Sequence, residues 1–177
     1  VRDTSAVSML ASIVRTSGAA APSAAWALGE IGAPASDTIA ALLGESPRRT
    51  AASRATSREL LIAMSKMRPL AVAAIAPYLH SPDAELRWAA AYSVARARAR
   101  SGVRALLDAP HPDAAFRAEL ARVLSKQMVG DSLRAEAIGR LRVLVTDPSP
   151  YVRINALHSI ASFGTAERAV IVHALHD

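Results

Sequence analysis

Ser81-Pro82-Asp83-Ala84-Glu85-Leu86-Arg87 returns as His111-Pro112-Asp113-Ala114-Ala115-Phe116-Arg117, and more loosely as Asp147-Pro148-Ser149-Pro150-Tyr151-Val152-Arg153. Each copy is a turn residue and a proline, then an apolar residue followed directly by arginine. The three arginines stand 30 and then 36 residues apart, an average of 33. Self-similarity at a period of roughly 20–50 residues is the mark of stacked repeats, each too small to bury its own apolar face.

The segment after each turn repeats as well. Leu86, Ala90, Ala91 and Val94 match Val152, Ala156, Leu157 and Ile160 at a shift of 66, two repeats of 33. The same shift backwards lands on Ala20, Ala24, Ala25 and Leu28, around Ala24-Ala25-Trp26-Ala27-Leu28-Gly29-Glu30-Ile31-Gly32. Positions i, i+4, i+5 and i+8 form one stripe of an α-helix. The pattern predicts that Ser81 caps such a helix, with Pro82 at its first position and Asp83 at its positive end. Gly32, Gly102 and Gly164 are predicted helix stops. Second helices are expected over 34–44, 69–80, 102–109, 131–146 and 165–176, and a leading helix over 4–15. Each carries its own apolar stripe, such as Ile39, Leu42 and Leu43 or Val103, Leu106 and Leu107.

The Asp-x-x-Val/Leu-Arg-x-x-Ala-x-x-x-Leu/Ile pattern resembles HEAT repeats. Ala-Ala-Trp-Ala-Leu-Gly-Glu-Ile-Gly is similar to the short bacterial variety, also found in the phycobilin-lyase-like HEAT family. The resemblance spans the whole chain and is clearest over 17–45, 81–109 and 147–177; residues 46–68 and 111–130 follow it less closely. It implies an all-α fold, an α-solenoid in the form of a right-handed superhelix of about five stacked antiparallel helix pairs. The expected domain is single, with repeats near 17–45, 46–80, 81–110, 111–146 and 147–177 and a partial repeat at 1–16. The Trp-x-x-Leu-Gly-x-x-Tyr signature of tetratricopeptide repeats is missed at Trp26, and ankyrin signatures are absent.

Composition agrees with closely packed helices. Of the 177 residues, 51% are hydrophobic but only 4% aromatic, the apolar share resting on Ala, Leu, Val and Ile. Alanine is the best helix former and lets helices approach closely. The most apolar run, Leu70 to Leu79, is far short of the roughly 18 residues a membrane span needs, and it contains Pro77. With no cysteine, disulfides, thiolate metal sites and cysteine nucleophiles are excluded. No signal segment is visible, and the chain starts at Val1, so it reads as a cytoplasmic excerpt of a longer protein.

Net charge is +6, and only Lys66 and Lys126 are lysines. An arginine-for-lysine bias with abundant alanine is what a GC-rich genome produces, which weakens a ligand-driven reading of the arginines. Arg54, Arg87, Arg117 and Arg153 recur with the repeat. The resemblance implies an internal ladder for them, each bonding the Asp or a carbonyl of a neighbouring turn, a role the planar guanidinium suits.

A second basic set is the candidate partner surface. Ala95-Arg96-Ala97-Arg98-Ala99-Arg100-Ser101-Gly102-Val103-Arg104 is the densest run. Its simplest role is to complement a helix C-terminus; the alternative is an acidic-peptide or phosphate patch. HEAT solenoids place second helices on the concave face, which would set Arg104, Arg134 and Arg142 along one groove, interrupted by Asp108 and Glu136; with Arg98 and Arg100 of the run they make up the candidate partner-binding surface. Trp88 and Tyr92, four apart, read as packing between neighbouring first helices, with an exposed hot spot as the alternative.

Nothing in the sequence points to catalysis or to a cofactor. Of His80, His111, His158, His173 and His176, only the last two share a helical face, and no metal site is expected. HEAT-type deoxyhypusine hydroxylases bind iron through His-Glu pairs, and this sequence has no such dipeptide. Nucleophile elbows, phosphate-cradling loops and zinc-protease motifs are missing. The sequence therefore points to a protein-interaction scaffold for protein or acidic-peptide partners, with end-to-end self-association through uncapped terminal repeats. The alternatives are nucleic-acid binding, as in the helical-repeat alkylpurine glycosylases, and a lyase-like or enzyme-accessory module.

Overall fold

In the computed structural model, residues 5–16, 18–45, 50–164 and 167 are described. They form ten α-helices: α1 (Ser5–Arg15), α2 (Ala21–Ile31), α3 (Ser36–Glu45), α4 (Ala51–Met64), α5 (Val72–Leu79), α6 (Ala84–Ala97), α7 (Val103–Asp108), α8 (Ala114–Val123), α9 (Asp131–Leu144) and α10 (Pro150–Ala161). No strand occurs among the described residues. The expected second helices at 34–44, 69–80, 102–109 and 131–146 correspond to α3, α5, α7 and α9, and the leading helix to α1; the segment 165–176, Glu167 apart, lies outside the described residues. The helices divide into two compact units with the boundary between Ala97 and Arg98.

In the first unit, α2, α4 and α6 pack successively in one row, and α1, α3 and α5 in a second. Cross-contacts α1 to α2, α3 to α4 and α5 to α6 join the rows. The alanine stripe explains the spacing of the first row. Ala24, Ala25, Ala89, Ala90 and Ala91 are buried, and Gly29 is pressed against α4 so closely that an added Cβ would meet the Ala63 Cβ at 2.8 Å. The second row contributes bulk: Ile39, Leu43, Ile75, Tyr78 and Leu79 are fully buried. Tyr78 donates its hydroxyl to the Leu43 carbonyl at 2.6 Å, near the end of α3, where carbonyls lack intrahelical partners.

In the second unit α8 packs on α10 and α9, and α9 on α10, while α7 rests on α8. Phe116, Leu120, Leu141, Val152, Ala156 and Ile160 fill this core, so three of the four stripe residues read from the sequence form the buried face of α10, while Leu157 is half-buried at its edge.

Two details of the turns differ from the sequence reading. Pro82 lies outside α6, and Asp83 rather than Ser81 caps it: Asp83 Oδ1 accepts from the amides of Glu85 at 2.9 Å and Leu86 at 3.3 Å. Ser81 Oγ instead accepts from the Asp83 amide, which shapes the turn before the cap. Gly32 and Gly164 do take positive φ, at 80° and 101°. Gly102 does not; it closes a 3₁₀ turn over Arg100–Gly102. The left-handed residue after α6 is Arg98, with φ 53°, where no glycine stands.

Candidate functional site

The four arginines of the repeat share one kind of environment. Arg87 Nη1 donates to the Ser81 carbonyl at 2.6 Å. Arg117 Nη1 donates to the carbonyls of His111 and Pro112 at 3.3 and 2.8 Å, and Arg153 Nη1 to those of Asp147 and Pro148 at 3.0 and 3.1 Å. Each of these arginines thus reaches back five or six residues to the turn before its own helix. Arg117 also reaches forward, forming a two-pronged pair with Asp147 at 2.7 and 3.1 Å, and Arg54 reaches forward in the same way, its Nε 3.2 Å from Asp83 Oδ2. That hydrogen bond from Arg117 holds the Asp147 carboxyl below the usual carboxylate range, and it raises the arginine in turn.

The basic run and its neighbours on α9 separate into two classes. Arg104, on α7, donates to both oxygens of Glu136 at 3.2 and 2.8 Å and to Asp108 at 3.2 Å. Arg142, in the last turn of α9, is held by Glu167 at 2.9 Å. Their charges are answered locally. Arg100 and Arg134 are different. With Lys126 they line a surface cavity of about 240 Å³ whose other walls are Val129, Gly130, Asp131 and Phe163. All three cations are exposed, and none has a carboxylate within salt-bridge distance among the described residues. The Arg134 guanidinium stands 5.6 Å from the centre of the Phe163 ring, a cation–π contact that orients it.

Helix starts and stops position these groups. Gly130 opens α9 with no side chain capping it, so the positive end of the helix dipole faces the same cavity. Arg100 is delivered by the 3₁₀ turn, and Phe163 by the turn after α10. Arg98 is exposed and does not line the cavity. Arg142 lies eight residues beyond Arg134, about 12 Å further along α9 by helical rise. The structure therefore brings together Arg100 and Arg134 of the five candidates and adds Lys126 and Phe163, which the sequence reading passed over. No local signal marks either residue, because both sit in turns whose meeting depends on how α8, α9 and α10 pack.

In the first unit a cavity of about 370 Å³ is lined by Arg54, Arg58, Glu59, Asp83 and Glu85 among others. Its charges lie in opposite-sign pairs: Arg58 pairs with Glu59 at 2.8 Å and lies 3.1 Å from Glu85, and Arg54 lies 3.2 Å from Asp83. Trp88 and Tyr92 stack at 5.3 Å, and Arg58 of α4 lies over Trp88 at 5.5 Å. These rings therefore meet a neighbouring first helix. Trp26, on α2, stays exposed beside Lys66, which also pairs with Glu30.

Among the described residues no group of three His, Asp or Glu side chains is placed to hold a metal, and no helix is long and apolar enough to cross a membrane. His173 and His176 lie outside them. His111 Nε2 donates to the Leu106 carbonyl at 2.9 Å, and desolvation lowers its pKa. No protein-family model matches the chain, and no curated protein matches it significantly.

Proposed function

We propose that this chain is a HEAT-type helical-repeat scaffold that binds acidic segments of partner proteins. The observation that carries the reading is the meeting of three cations, Arg100, Lys126 and Arg134, around an open cavity on the second unit, none of them with a carboxylate in salt-bridge distance among the described residues. Its neighbours Arg104 and Arg142 are already neutralised by carboxylates. Arg98 and Arg140 of the same unit are exposed and, among the described residues, also lack a carboxylate within salt-bridge distance. The second unit thus keeps an excess of positive charge, of which the cavity holds the three that meet in one place. Concentrated charge of one sign favours complementary partner segments and speeds their encounter. On the same unit Tyr151 and Ile154, three apart on α10, are both exposed, a pair of large apolar side chains that supports a protein rather than a small-molecule partner.

Nucleic-acid binding is the second reading, favoured by the same cations and the net charge of +6. Fluorescence anisotropy separates the two. A labelled pool of degenerate acidic peptides and a labelled DNA duplex are titrated with the chain from about 50 to 200 mM salt. Peptide binding that falls when Arg100 and Arg134 become glutamine supports the scaffold. Duplex binding that weakens steeply with salt supports the second reading, because each displaced counterion adds to the slope. No binding of the peptides at the lowest salt would remove the scaffold reading.

A further inference from the structure

We infer that the cavity formed by Arg100, Lys126 and Arg134 is a phosphoryl-binding site, filled by a phosphorylated side chain of the partner segment; this rests on the scaffold reading. The cavity wall carries three cations and one carboxylate, Asp131. The remaining excess of two positive charges matches a phosphomonoester, which carries about −1.5 to −2 at neutral pH, better than a single carboxylate or a phosphodiester. Two of the cations are arginines, whose forked donors engage phosphate oxygens in pairs. Arg134 is steadied on one face by Phe163 at 5.6 Å, so less freedom is lost when it engages. The α9 start at Gly130, capped by no side chain, adds the positive end of a 14-residue helix to the same wall.

The surroundings argue for one phosphate rather than a string of them. Of the candidate cations beside the cavity on α7 and α9, Arg104 is tied to Glu136 and Asp108, and Arg142 to Glu167, so neither continues the cavity's cations into a row along those helices. The aromatic ring at the site is buried Phe163, already covered by Arg134 and so no platform for a stacked base.

The ¹⁵N-labelled full chain is titrated with inorganic phosphate, then with a degenerate acidic peptide pool carrying one phosphoserine, and with the same pool carrying serine. Phosphate is expected to move the amide resonances of residues 130–134. The phosphoserine pool is expected to bind about tenfold more tightly than the serine pool, and Arg134→Gln with Lys126→Gln to remove that advantage. Circular dichroism and the melting temperature should stay unchanged, since all three side chains are exposed. Asp131→Asn, which deletes the opposing charge, is expected to tighten phosphopeptide binding.

Absence of phosphate-induced shifts at 130–134, or a phosphoserine advantage that survives the double variant, overturns the site. If the serine pool binds but phosphate leaves the cavity unmoved, the site fails while the scaffold reading stands. If phosphate binds there and neither pool does, the peptide source and the scaffold reading both fall.

Discussion

Arg117 spans 30 residues to grip both carboxylate oxygens of Asp147, with Nε and Nη2 at 2.7 and 3.1 Å. The same Asp147 accepts from the Ser149 amide at 2.9 Å, and its carbonyl accepts from Arg153. One aspartate thus shapes the turn before α10 and ties that turn to α8. Asp147→Asn, which loses the charge and half of the two-pronged geometry, is expected to cost about 1.5–3 kcal/mol of stability. Chemical denaturation checks this; a loss under a few tenths of a kcal/mol would show the pair to be incidental.

Two titrations set the response to acid. The folded pKa of Asp147 is lowered by the Arg117 hydrogen bond, so its stabilising contribution is complete above the unfolded value, near 3.8, and disappears as pH falls through the folded one. His111 is lowered by burial, so the unfolded chain takes up this proton first. Its contribution is complete above about 6.5 and is lost as pH falls from there through the folded value. Stability is therefore expected to slip on going from pH 7.5 to 5.5, and His111→Gln to flatten that part of the profile. Urea midpoints across the range decide the matter; a profile that rises towards pH 5.5 would contradict the His111 assignment.

Two glycines in helix interiors should respond to alanine with opposite sign. At Gly139 a Cβ meets nothing within 4 Å, so Gly139→Ala is expected to stabilise by about 0.5–1 kcal/mol through helix propensity alone. At Gly29 the Cβ would lie 2.8 Å from the Ala63 Cβ and 3.1 Å from its Cα. Backbone there cannot step aside without moving α4, and overpacking of this kind costs about 1–3 kcal/mol. Gly29→Ala is expected to lower the melting temperature, and a rise would mean that α2 and α4 are free to separate.

The Tyr78 hydroxyl is buried and donates to Leu43 at the end of α3. Tyr78→Phe keeps the ring and strands that carbonyl, at an expected cost of about 1–2 kcal/mol. Arg98→Gly tests the opposite kind of defect. A side chain at φ 53° is strained, and glycine should recover about 1 kcal/mol, less the added freedom of the unfolded chain. Thermal melts of the two variants should move in opposite directions.

The sequence by itself determined that the chain is helical, roughly where most of the helices run and which of their faces are buried. Those depend on periodicity within a dozen residues: the stripe through Leu86, Ala90 and Val94 is buried because only one side of a helix can face a neighbour. Proline and glycine marked the turns well enough to place α3, α5, α7 and α9 within a few residues. They misled where two candidates for one task stood close together, as Asp83 displaced Ser81 from the cap and Arg98 took the left-handed position expected of a glycine. What only the tertiary structure decided is which charges are spent. Arg104 and Arg134 look alike in the sequence, yet one meets Glu136 and the other faces an open cavity with Lys126. A salt bridge forms or fails within an ångström or two, and that distance is set by the stacking of α7, α8, α9 and α10, which no local pattern records.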